Sequence, residues 1–66
     1  MSTSSDLAEL STLRAQIDDV TKRVLAVAEQ YDETTDSAVA GDLFSAERAL
    51  VTARRFLDRA IAALDS

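Results

Sequence analysis

Between Val24 and Glu47 the chain carries six carboxylates, Glu29, Asp32, Glu33, Asp36, Asp42 and Glu47, with no lysine or arginine among them. Acids at this density could hold a divalent cation or dock on a basic partner. A calcium loop of the EF-hand kind needs alternating acids, a central glycine and a terminal glutamate at fixed offsets, and that spacing is missing here. A solvated acidic turn is the plainer reading of such a charge run, so no metal ligands are assigned. The cations lie elsewhere. Arg48, Arg55 and Arg59 fall on the outer face of the second half of the chain, with Arg54 nearer its apolar face. A row of arginines can touch phosphate, but Asp58 interrupts this one and the formal net charge is -5. Nucleic acid is therefore disfavoured as a partner, because the acidic total repels a polyanion at long range.

The other groups that do chemistry are scarce. There is no histidine, no cysteine and a single glycine, Gly41, so no nucleophile–base pair and no phosphate-cradling loop can be drawn. Arg14, Gln16, Thr21 and Arg54 are the only polar side chains at the margins of the apolar rows. Acid–base work by carboxylates needs a pocket to shift their pKa values, and no part of the pattern builds one. No catalytic residue, cofactor or small-molecule substrate is assigned, and the chain is read as a non-enzyme. An active site assembled by oligomerisation is the remote alternative.

Two apolar rows must position whatever function there is. The first reads Leu10, Leu13, Ile17, Val20, Val24, Val27, Tyr31, and the second Val39, Leu43, Ala46, Leu50, Ala53, Leu57, Ala60, Leu64. Steps of three and four without a slip mark two amphipathic helices with coiled-coil-like seams. Folding back near Thr35 pairs the rows layer by layer, from Tyr31 with Val39 through Val20 with Leu50 to Leu10 with Ala60. The expected fold is all-α: an antiparallel two-helix hairpin. Residues 1–5 are read as a disordered tail and 6–66 as the hairpin. Helix 1 spans about 6–31 with Asp6 as its cap and Glu9 as the capping-box partner, the turn about 32–36, and helix 2 about 37–64. Gly41 leaves two starts open for helix 2, one before it and one at Asp42. With an early start, Ala38, Gly41 and Ser45 form a strip of small residues.

The run Leu13-Arg14-Ala15-Gln16-Ile17-Asp18-Asp19-Val20, followed by Val24-Leu25, resembles the opening helix of the all-helical chorismate mutases in its Leu-Arg-x-x-Ile-Asp pattern. That family has further cationic residues after its first helix, and residues 24–47 here contain none, so shared heptad periodicity accounts for the likeness. The size and expected architecture are also similar to the small helical-hairpin secretion substrates of the WXG type. Their Trp-x-Gly turn has no counterpart in a chain without tryptophan.

With 66 residues and 7.1 kDa the chain has room for one small domain with a thin core. Without cysteine for a disulfide or histidine for a metal, the usual supports of very small domains are missing, which leaves oligomerisation. Helix 2 carries more apolar surface than one neighbour covers: Phe44 and Val51 lie on one flank of its leucine row, Phe56 on the other, and Ile61 near the end. Ala46, Ala53 and Ala60 are expected to face helix 1 and let the backbones approach closely. The expected function is therefore a non-catalytic helical protein–protein interaction module, self-associating through Phe44, Val51, Phe56 and Ile61 into a homodimeric four-helix bundle. The alternative is a small accessory subunit or regulatory adaptor that binds a different protein through the same face. No apolar run is long enough to span a membrane, residues 1–6 have neither a basic nor an apolar stretch of the kind an export signal needs, and the arginine-rich, lysine-poor composition suggests a GC-rich bacterial source. A cytoplasmic bacterial protein is the corresponding expectation.

Overall fold

The computed structural model describes residues 3–32 and 37–66. Two helices make up nearly all of them: α1, Thr3–Tyr31, and α2, Ser37–Asp65, each of 29 residues. They pack side by side and antiparallel in a rod of 50 × 14 × 14 Å. The all-α hairpin expected from the two apolar rows is the architecture found. The chain contains no proline, so nothing in it breaks the intrahelical hydrogen-bond ladder of either arm.

The helix ends differ in detail from the sequence expectation. Because α1 begins at Thr3, residues 3–5 are helical and are not part of a tail, and Asp6 sits in the first turn and is not its cap. A carboxylate there still meets the positive end of the helix dipole. For α2 the earlier start holds, at Ser37, and Gly41 lies inside the helix with an ordinary φ. A Cβ added at Gly41 would meet nothing within 4 Å. Ala38, Gly41 and Ser45 are all exposed.

The larger correction concerns how each helix is rotated about its own axis. Only Ala28 and Ala40, at 0% and 1% exposure, are buried among the described residues, and they flank the turn. From there the contact row runs along Val24, Thr21, Ile17, Leu10 and Leu7 of α1, and along Phe44, Glu47, Val51, Arg54, Asp58 and Ile61 of α2, most of them half-buried. The expected seam is displaced from this row. Leu13, Val20, Val27, Tyr31, Val39 and Leu64 are 37–45% exposed, and Ala46, Ala53 and Ala60 face solvent and not α1. The reason is that the contact row is not purely apolar. Arg14 Nε approaches Asp58 Oδ1 at 2.5 Å, and Arg54 Nε approaches Asp18 Oδ1 at 3.5 Å, so each helix contributes one cation and one anion to a crossed pair.

The crossed pairs reflect a repeat. Leu10-x-Thr12-x-Arg14-x-x-Ile17-Asp18 in α1 has its counterpart in Leu50-x-Thr52-x-Arg54-x-x-Leu57-Asp58 in α2. Two like segments running in opposite directions bring each arginine opposite the other segment's aspartate. At the start of this segment in α1 the Thr12 hydroxyl donates to the Ala8 carbonyl at 3.1 Å, and Thr21 donates to the Ile17 carbonyl at 2.6 Å. Both threonines thus satisfy their hydroxyls within their own helix.

Candidate interaction surface

The polar groups that the sequence puts forward find local roles. Glu29, Asp32 and Asp42 are exposed, Glu47 is half-buried, and Glu33 and Asp36 lie outside the described residues. Among the described residues no three acids come together in a way that could hold a metal ion. Among the described acids of the tip, Asp32 follows the last residue of α1, where the helix dipole disfavours a negative charge, and Asp42 lies beyond the first turn of α2. The arginines do not neutralise a helix terminus either, because the last turn of α2 contains none. Instead Arg54 pairs with Asp18, Arg48 donates to the Ser45 hydroxyl at 3.1 Å, and the Arg59 guanidinium lies 5.1 Å from the centre of the Phe56 ring. Arg23 pairs with Asp19 one turn away at 3.5 Å. Arg14 and Asp18 are both tied across the hairpin.

The four residues expected to form a partner face do not share one surface. Phe44, Val51 and Ile61 are half-buried along the contact with α1, whereas Phe56 is 59% exposed. At 100° per residue, Phe56 is about 120° to 140° round α2 from the other three. Its ring is partly covered by Arg59, a cation–π contact worth about 0.5–1 kcal/mol at an exposed site.

The apolar surface that the hairpin leaves open lies elsewhere and is shared by both helices. Leu13, Gln16, Ile17, Val20, Leu50 and Leu57 line one shallow groove, and Val20, Arg23, Val24, Val27 and Leu43 line its continuation toward the turn. Leu13, Val20 and Val27 recur every seventh residue on α1, as do Leu43, Leu50 and Leu57 on α2. These are the layer partners that the sequence pairs, and they meet at the open edge of the contact and not at its centre. No large side chain is fully buried among the described residues, and Leu13, Val20 and Val27 along this edge remain 38–42% exposed. No known protein family, characterised protein or solved structure matches the chain. No helix among the described residues is long and apolar enough to cross a membrane.

Sequence reasoning missed Ala28 and Ala40 as the buried pair and Leu13, Val20 and Val27 as open surface. The signal that could have found them is the repeated Arg-x-x-x-Asp pattern. Placing each arginine opposite the other helix's aspartate turns both helices to the observed rotation.

Proposed function

We propose that this chain is a non-catalytic helical interaction module that self-associates into a four-helix bundle through the groove side of the hairpin. The observation that carries the reading is the contrast between a core of two alanines and an unbroken row of half-open leucines and valines along one side. Each fully covered leucine or valine contributes about 1.5–3 kcal/mol relative to its exposed state, so a surface of this kind gains most from a second apolar layer. The side of the rod has a footprint of 50 by 14 Å, comparable to the ~800 Å² that each partner contributes to a stable interface. The non-catalytic part is supported by the charges already being paired: Arg23, the charged side chain lining the groove, pairs with Asp19, and Arg14, Asp18, Arg54 and Asp58 pair with one another across the hairpin.

Sedimentation equilibrium at micromolar concentration tests the reading. The expected mass is twice 7.1 kDa, with a thermal midpoint that rises with protein concentration. A well-folded monomer with a concentration-independent midpoint would discard it. A poorly folded monomer would favour the accessory-subunit alternative, in which a helix of a different protein fills the same groove.

A further inference from the structure

Resting on that self-association, we infer that the second copy packs with opposite polarity, α2 against its own counterpart, so that the acidic tips lie at the two ends of the assembly. Beside the row that meets α1, α2 carries a second heptad row about 100° further round. It alternates large and small: Leu43, Ala46, Leu50, Ala53, Leu57, Ala60, and its three alanines are exposed. Read against itself in reverse, this row is self-complementary. Leu43 meets the second copy's Ala60, Leu50 meets Ala53 and Leu57 meets Ala46, and the twofold axis repeats each layer. Every contact places a large side chain on a small one, which allows the close backbone approach at the lower end of the 8–10 Å interaxial range. A right angle between the two rows of α2 suits the corner helix of a four-helix bundle, which has two neighbours at about 90°.

The opposite choice, with both tips at one end, is worse on two counts. It sets α2 against the partner's α1, where Leu43, Leu50 and Leu57 meet leucine and valine, so the large-on-small layers of α2 are lost. It also brings together two tips that each hold six acids and no cation between Val24 and Glu47. With the tips at opposite ends of a 50 Å rod they lie several Debye lengths apart at about 8 Å each. Each tip then meets the half of the partner in which Arg14, Arg54, Arg55 and Arg59 offset the acids.

The chain has no cysteine, so Gln30→Cys, at an exposed position near the tip, can carry a single spin label. Electron–electron distance measurement in the full chain, with its mass checked by sedimentation, separates the arrangements. Opposite polarity predicts a label separation of about 35 Å at 1.5 Å per residue from the twofold axis. A dimer with labels within about 20 Å would overturn the inference and leave self-association standing, whereas a monomer would remove both. To test the face itself, Ala53→Glu should weaken the dimer about tenfold or more by burying a charge, while Ala62→Glu on the outer side of α2 should not. Equal behaviour of the two variants would overturn the α2-to-α2 contact even in a dimer of the right length.

Discussion

Arg14 reaches across the hairpin to Asp58 at 2.5 Å, and the same two residue types meet again, with the helices exchanged, at Arg54 and Asp18. Their side chains are 36–46% exposed, so solvent screens both pairs and each contributes at most about 1 kcal/mol. Their value is in register. A slip of one turn would set the two arginines opposite each other in one direction and the two aspartates in the other.

A double-mutant cycle on Arg14→Ala and Asp58→Ala should return a coupling below about 1 kcal/mol that shrinks as salt is raised. Exchanging the charges, Arg14→Asp with Asp58→Arg, should recover stability relative to either single change. Chemical denaturation at several ionic strengths measures both, and a coupling unaffected by molar salt would mean that the pair acts by packing and not by charge.

Ala28 and Ala40 are the only described side chains fully shielded from water. Leucine at either should overpack the region next to the turn and cost about 1–3 kcal/mol. Ala53→Leu should be accommodated by the hairpin itself, because Ala53 is exposed, and should act on association alone. Thermal melts at low and high protein concentration distinguish the two effects. A loss at Ala53 as large in the monomer as at Ala28 would contradict the observed rotation of α2.

Gly41 lies inside α2 with open space where a Cβ would be. Gly41→Ala should therefore stabilise the chain by about 1 kcal/mol, the usual helix-interior difference between the two residues. A rise in denaturation midpoint with an unchanged slope is the expected signature.

Charging the groove should separate association from helix formation. Val20→Asp places a carboxylate in the middle of the open apolar side, where a second copy would have to desolvate it at a cost of several kcal/mol. Helicity at low temperature should largely persist while the assembly is lost. Phe56→Asp, on a different face and beneath Arg59, should leave association nearly unchanged. Gel filtration with circular dichroism reads both, and loss of assembly in the Phe56 variant alone would move the functional surface to the outer face of α2.

The two helices and their antiparallel packing were legible because three-and-four spacing is a local signal; the turn expected at about 32–36 falls, apart from Asp32, outside the described residues. The rotation of each helix was not legible. Two rows compete on α2, one through Leu43, Leu50 and Leu57 and one through Phe44, Val51 and Ile61, and apolarity ranks them alike. The balance is set by groups that a search for apolar residues passes over: the crossed arginine–aspartate pairs, Thr21 satisfied within its own helix, and the small Ala28 and Ala40. The choice of Phe44, Val51 and Ile61 as outward residues followed from giving the leucine row to the inside. With the leucine row at the edge, they turn toward α1.

The burial of Ala28 and Ala40 on either side of the turn also gives the folding of the hairpin a direction. Closing a short loop takes tens of nanoseconds and little entropy, whereas joining the distant ends costs more with every added residue. The two buried side chains among the described residues therefore lie where chain closure is fastest, and the expected order of closing is from the turn outward, with the crossed ion pairs next and Leu7 and Ile61 last. Opening runs the other way. Backbone amides near Ala28 and Ala40 should exchange with solvent most slowly, and those near Thr3 and Asp65 first.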